Sequence, residues 1–274
     1  MYNKELIYRD AKQIMINSKN INPYVVIAQP RRSLTEIPAQ SFDKNFIHID
    51  MMGFSHGFID IGGEKVDVAR NYLIEMCINS GAKYMFFIGE DTVIPYDGFI
   101  KLHKTCEHNP NSIAIGVYYI KTSSPMVSIE DNNTVKVADV SPHKEPFKVQ
   151  MAGMDAMLIP ISILKKMKDE EPDNPFCCII SDIQIDEETH VDFIGEDNYF
   201  YNRCKNAKIP ILCNTNVQCL HMDLATGKYT AYEDIDLSQY MTNIPIAERL
   251  TLKDKFYLDS RWTSRLPEGS YLKN

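Results

Sequence analysis

EKVDVARNYLIEMCINSGAKYMFFIGEDTVIP, residues 64–95, holds a helix, a buried strand and a carboxylate pair in one run. Val66, Ala69, Leu73 and Met76 recur at helical spacing, and Gly81 can take the left-handed conformation that stops a helix. Lys83 to Ile88 (KYMFFI) is a compact apolar strand that runs directly into Gly89-Glu90-Asp91-Thr92. In open α/β sheets the ligand crevice lies beyond the carboxyl ends of the strands, so both carboxylates are expected to project where a polar ligand binds.

The alternation of strand and helix continues outward from this stretch. Tyr24 to Ala28 (YVVIA) reads as a first buried strand ending at Gln29-Pro30, and Phe46 to Met51 as a second. Tyr96 to Glu107 reads as a helix and Ser112 to Tyr119 as another strand. Residues 121–150 are polar, a loop or hairpin excursion, before Met151 to Pro160 turns apolar around Gly153 and Ile161 to Asp169 forms a short helix. Glu170 to Pro175 and Asp182 to Thr189 are acidic, turn-rich surface segments. Glu196 and Asp197 then open a helix carrying Phe200, Cys204 and Ala207 at helical spacing. Ile209 to Cys213 and Val217 to Leu220 are short strands, the second delivering His221 and Asp223. The order predicts an α/β fold with a mostly parallel central sheet flanked by helices, followed by a polar extension over 224–274.

Composition narrows the function classes. A chain of 274 residues with 44% hydrophobic and 24% charged residues can bury a full core. Its apolar runs are far shorter than the roughly 20 residues that cross a bilayer, and the charged N-terminus MYNKELIYRDAKQ has no signal-peptide character. A cytoplasmic protein without a membrane span is expected. Seven cysteines lacking a CxxC pair or zinc spacing read as buried free thiols. A formal charge of −8 and a pI near 5.4 argue against a protein that coats nucleic acid, although Arg31-Arg32 and Lys165-Lys166 form small basic clusters.

Three polar clusters thus sit at strand ends or a helix start: Glu90/Asp91, Glu196/Asp197 and His221. Oxygen ligands favour Mg2+ or Mn2+, and an imidazole tilts the choice toward Mn2+. Such an ion neutralises charge on a departing phosphate, and a further carboxylate can take a proton as general base. Each cluster also has a structural reading. Carboxylates after a strand serve as solvated turn residues, those opening a helix complement its dipole, and a lone histidine is commonly a satisfied core side chain.

Their order and context resemble the family-2-like glycosyltransferases of GT-A fold, especially short stand-alone enzymes of phages and bacteria. ARNYLIEMCINSGAKYMFFIGEDTVIP is similar to the family's helix beginning ARN, followed by a strand that ends in a DxD-type acidic motif with a proline downstream. MAGMDAMLIPISILKKM looks like the acceptor-side segment with its central glycine. DFIGEDNYFYNRCKNAKIPILCNTNVQCLHM resembles the Gly-Glu-Asp helix, two strands and metal-binding histidine. The resemblance spans about Tyr24 to Met222 and implies a GT-A domain over residues 1–223.

It implies a metal-dependent transfer of a sugar from a nucleoside-diphosphate sugar to an acceptor hydroxyl, with inversion. Asp91 would bind metal and diphosphate, His221 would complete the metal shell, and Glu90 would help at the ribose or the metal. Asp197 would be the general base, with Glu196 beside it at acceptor or donor sugar. Arg70 and Asn71 would lie near the nucleotide, and Arg31 near the base or a phosphate. Gly89 stands where relatives show an aspartate, so the ribose or first metal contact is expected to be lost or shifted to Glu90. Phage enzymes of this look include ones that act on hydroxymethylated bases in DNA, in the host cytoplasm, and a DNA acceptor would call on Lys165, Lys166 and the tail around Arg261 and Arg265; a saccharide or protein acceptor is the other expectation. Two further readings share the same residues: a sugar-nucleotide-binding module without turnover, and a metal-dependent nucleotidyltransferase or phosphoesterase.

Overall fold

A computed structural model of the protein describes residues 23–31, 49, 54–95, 97–120, 125–131, 134–142, 145–179, 194–223 and 228–230. The central sheet has seven strands in the order β2-β1-β3-β10-β5-β11-β8. They are β1 (Val25–Arg31), β2 (His56–Gly62), β3 (Tyr84–Ile88), β5 (Ile113–Val117), β8 (Phe147–Val149), β10 (Ala156–Pro160) and β11 (Ile211–Gln218). β1 pairs in parallel with β2 and β3, and β11 with β5, whereas β10 runs antiparallel between β3 and β5, and β8 antiparallel at the edge. Five strands therefore share one direction, as expected of a mostly parallel sheet.

The sheet is apolar on both faces, and side-chain alternation divides the core in two. Val26, Ala28, Met85, Phe87, Ile115, Met157 and Ile159 face one layer, while Val25, Ile27, Phe86, Ile88, Ala114 and Leu158 face the other. The first face is covered by α1 (Val66–Asn79), α3 (Ile161–Glu170) and α4 (Glu196–Asn206) through Leu73, Leu164 and Phe200; the second by α2 (Gly98–His108) through Phe99 and Leu102. This two-sided cover explains why KYMFFI is apolar without alternation. Gly81 follows the C-cap of α1 with φ 76°, the left-handed stop read from the sequence.

Two smaller sheets complete the fold. β4 (Thr92–Val93), β12 (Leu220–Asp223) and β13 (Lys228–Thr230) form one in the order β13-β12-β4, and β6 (Val127–Asp131), β7 (Thr134–Val137) and β9 (Met151–Ala152) form the other in the order β7-β6-β9. The polar excursion is thus a hairpin plus the edge strand β8. β13 folds back on β12, so the chain just past 223 is hydrogen-bonded to the strand that carries His221. Residues 231–274 lie outside the described residues. So do most of Phe46 to Met51, expected as a strand, where Ile49 alone is described, as helical; the strand beside β1 is β2 instead. All seven cysteines are free, six of them buried, and among the described residues no helix is long and apolar enough to cross a membrane.

Candidate functional site

The site gathers at the carboxyl ends of β1, β3 and β5, where antiparallel β10 begins. Ile88, the last residue of β3, pairs with Ala156, the first of β10, so Gly89 and Asp155 face each other across the sheet edge. Gly89 N–H donates to the Asp155 carbonyl at 3.1 Å. Beyond Gly89 the chain turns into β4, and β4 pairs with β12 with Thr92 opposite His221. This pairing brings together residues 130 positions apart: His221 Nε2 lies 3.2 Å from Asp91 Oδ2, with both side chains buried.

The histidine is held from two sides. Its Nδ1 sits 2.7 Å from the Tyr119 carbonyl, which can only accept, so Nδ1 carries the hydrogen and Nε2 is directed at Asp91 and at the Tyr118 hydroxyl, 3.1 Å away. Burial alone would lower the pKa of His221, but the Asp91 hydrogen bond and charge, with the Tyr119 carbonyl, raise it above the ordinary value. Without another cation near Asp91, the imidazole is therefore biased toward its protonated form.

The same pair fits a divalent cation. Two neighbouring ligands of an octahedral ion bound at about 2.1 Å lie roughly 3 Å apart, close to the observed 3.2 Å. Among the described residues no group of three or more His, Cys, Asp or Glu is arranged to hold a metal. Two protein ligands with the remaining positions left to phosphate and water is the arrangement in which Mg2+-type ions accompany nucleotides. The Thr92 hydroxyl, cross-strand from His221, is buried and has no hydrogen-bond partner.

A second cluster surrounds Arg70, which α1 presents on its buried face. Arg70 Nη1 contacts Glu196 Oε1 at 2.9 Å and also Asp197 Oδ1, and Nη2 lies 3.3 Å from Asp155 Oδ1. The guanidinium carbon stacks 5.4 Å from the centre of the Phe87 ring. Burial works against the Arg70 charge, but Asp197, Asp155 and Glu196 outweigh it and hold its pKa above the ordinary value. For Asp197 burial dominates: although Arg70 opposes it, burial with the charges of Asp155 and Glu196 raises the carboxyl from 3.8 to about 6. Glu196 and Asp197 open α4, where no side chain caps the helix. Their contacts with Arg70 give them a role beyond complementing the helix dipole.

The remaining expected residues divide clearly. Asn71 is committed to backbone: its amide donates to the carbonyls of Asp67 (2.8 Å) and Cys177 (2.6 Å), and its oxygen accepts from Phe176 N–H (2.8 Å) and Cys177 N–H (3.0 Å). Glu90 is half-buried in the turn after β3. Arg31 ends β1, with its side chain outside the described residues. Lys165 and Lys166 are exposed on α3, Lys166 pairing with Glu170 at 3.7 Å. α3 starts beside Lys83, at the sheet edge opposite Gly89. Arg261 and Arg265 lie outside the described residues.

Sequence reasoning missed Asp155. The signal was a lone carboxylate in an otherwise apolar segment, MAGMDAMLIP. Its placement also changes the reading of Gly89, whose side-chain position is filled rather than vacant: a Cβ there would lie 2.7 Å from Asp155 Cγ and 2.8 Å from its Cβ and Oδ1.

No family model and no curated protein matches the chain. Among solved structures it is similar to A197 from STIV, with 16% identity over 77% of this chain and 95% of that one and a TM-score of 0.48. It is also similar to GalNAc-T7, solved with UDP, GalNAc and Mn2+, with 10% identity over 92% of this chain and 53% of that one and a TM-score of 0.43. At these identities and scores, the reading of the site rests on its own residues.

Proposed function

We propose that the protein is a glycosyltransferase of GT-A type that moves a sugar from a nucleoside-diphosphate sugar to an acceptor hydroxyl, in the presence of Mn2+ or Mg2+. The observation that carries the proposal is the Asp91–His221 pair, 3.2 Å apart at the carboxyl edge of the sheet, on the same edge as an arginine-bound carboxylate cluster. A cation site beside a raised carboxyl group supplies the two functions that glycosyl transfer needs: charge neutralisation at the leaving group and proton removal at the nucleophile. The order of the motifs along the chain supports the same reading.

Asp91 and His221 would hold the cation, which when bound offsets negative charge on the departing diphosphate. Tyr118 and the Tyr119 carbonyl fix the imidazole so that Nε2 keeps facing Asp91. Asp197 would accept the proton of the acceptor hydroxyl. The acceptor oxygen then bonds to the anomeric carbon as the bond from that carbon to the diphosphate oxygen breaks, its electron pair leaving with the nucleoside diphosphate and the configuration inverting. A carboxyl near 6 is ionised at neutral pH and is more basic than an ordinary aspartate, as the role requires. Arg70 keeps Asp197 and Glu196 oriented; Glu196 would contact acceptor or donor sugar.

Donor binding is tested by thermal shift with UDP, GDP, ADP and CDP, each with and without Mn2+, since a ligand of the folded state raises its stability. One nucleotide should stabilise wild type only with Mn2+, and Asp91→Ala should abolish the shift. No shift with any nucleotide would remove the donor site and the glycosyltransferase reading with it. Turnover is then assayed with saccharide, peptide and hydroxymethylated-DNA acceptors in parallel. Free nucleoside diphosphate with a glycosylated acceptor supports transfer, whereas release of nucleoside monophosphate or pyrophosphate marks phosphoryl chemistry instead.

A further inference from the structure

Gly89 and Asp155 occupy one space between them. Gly89 is absent from the residues with positive φ, so its backbone does not require glycine; a side chain is excluded by Asp155, whose carboxyl group lies where that side chain would be. The exclusion is severe, because the nearest atoms include the Asp155 Cβ, which is fixed by the backbone and cannot rotate away. A carboxylate has thus reached the end of β3 from across the β3/β10 ladder.

We propose that Asp155 is a donor-binding residue: from the neighbouring strand it supplies the metal–nucleotide complex with the carboxylate that residue 89 does not carry. The inference rests on the glycosyltransferase reading above and assigns this residue within its donor site. Two observations separate it from a purely structural ion pair with Arg70. First, Arg70 already meets Glu196 and Asp197, so Asp155 is a third carboxylate on one guanidinium and leaves surplus negative charge on this edge of the sheet. Its field also reaches His221, the other half of the cation pair. Second, Gln29, fully buried at the end of β1, donates through Nε2 to the Gly89 carbonyl at 3.2 Å and leaves its Oε1 without a hydrogen-bond partner. A buried acceptor kept unpaired beside Gly89, on the edge where Asp155 adds negative charge, calls for a ligand that is cationic or donates hydrogen bonds. A divalent ion with its ribose-bearing nucleotide is both.

The test moves the carboxylate from one strand to the other. Mn2+ affinity is measured by electron paramagnetic resonance of the free ion, in the presence of UDP, GDP, ADP and CDP in turn, for wild type, Asp91→Ala, Asp155→Asn, Asp155→Gly and the exchange Gly89→Asp/Asp155→Gly. Asp155→Asn should weaken nucleotide-dependent Mn2+ binding at least tenfold while its ligand-free melting temperature stays within a few degrees of wild type. The exchange variant should recover affinity to within about threefold, whereas Asp155→Gly alone does not. Wild-type affinity in Asp155→Asn, with binding lost in Asp91→Ala, overturns the proposal and leaves the glycosyltransferase reading standing. An exchange variant that folds and stays as weak as Asp155→Gly also overturns it. If the exchange variant does not fold, Asp155→Asn decides. Absence of nucleotide-dependent Mn2+ binding in wild type overturns both readings together.

Discussion

Replacing Asp197 by asparagine should make the protein more stable at neutral pH, although it removes a partner of a buried arginine. The folded environment raises the Asp197 carboxyl from 3.8 to about 6. A difference of about two pKa units corresponds to roughly 3 kcal/mol at 1.36 kcal/mol per unit. Solvent still reaches 20% of the side chain, so about 1–3 kcal/mol is expected. Because the folded-state pKa lies above the unfolded one, the protonated carboxyl favours folding fully below about pH 4. Between about pH 4 and 6 the unfolded chain ionises while the folded one does not, and native stability falls; above pH 6 the loss is complete. Asparagine stays neutral throughout and keeps an oxygen for Arg70. Urea denaturation at half-unit steps from pH 4 to 8 should show the two proteins nearly equal at pH 4. Asp197→Asn should pull ahead toward pH 6 and hold a constant lead from 7 to 8. A variant less stable than wild type at pH 7, with the gap closing on acidification, would refute the reasoning: the Arg70 pair would then outweigh burial and depress the carboxyl.

Arg70→Met should act in the opposite sense, lowering stability by about 3–5 kcal/mol at pH 7, because three carboxylates lose their shared counter-charge; the urea midpoint should fall with the m-value unchanged. Asn71→Ala should cost roughly 2–4 kcal/mol, since the N–H groups of Phe176 and Cys177 lose their acceptor, and hydrogen exchange should accelerate first at those two amides. If Asp197 is the base, the transfer rate should fall on acidification with an apparent pKa near 6, and Asp197→Asn should abolish transfer while retaining Mn2+-dependent nucleotide binding.

The elements that sequence conveyed well were those whose cause is local. α1, β3 and α4 were legible because helical spacing, an uninterrupted apolar run and a left-handed glycine stop are properties of neighbouring residues. β2 escaped because its half-buried pattern, HGFIDIG, mixes polar and apolar residues at the sheet edge. The candidate site was legible as types of residue and not as contacts. Glu90/Asp91, Glu196/Asp197 and His221 stood out as strand-end or helix-start groups. That His221 meets Asp91 depends on the β4/β12 ladder, and that Arg70 gathers three carboxylates depends on packing α1 against the start of α4. Asp155 was hidden for the same reason. Nothing within its own segment indicates that it stands opposite Gly89.

The shared space at Gly89 and Asp155 also constrains how this chain can change. Any side chain at 89 collides with Asp155, while loss of Asp155 alone empties the position, so neither residue has an easy single-step replacement. The two positions behave as one heritable unit with two internally consistent states, carboxylate on β3 or carboxylate ahead of β10, separated by variants worse than either. Among homologues the pair is expected to switch together. An acidic motif sought along the chain would score this sequence as degenerate, whereas one sought across the rungs of the sheet would find it intact.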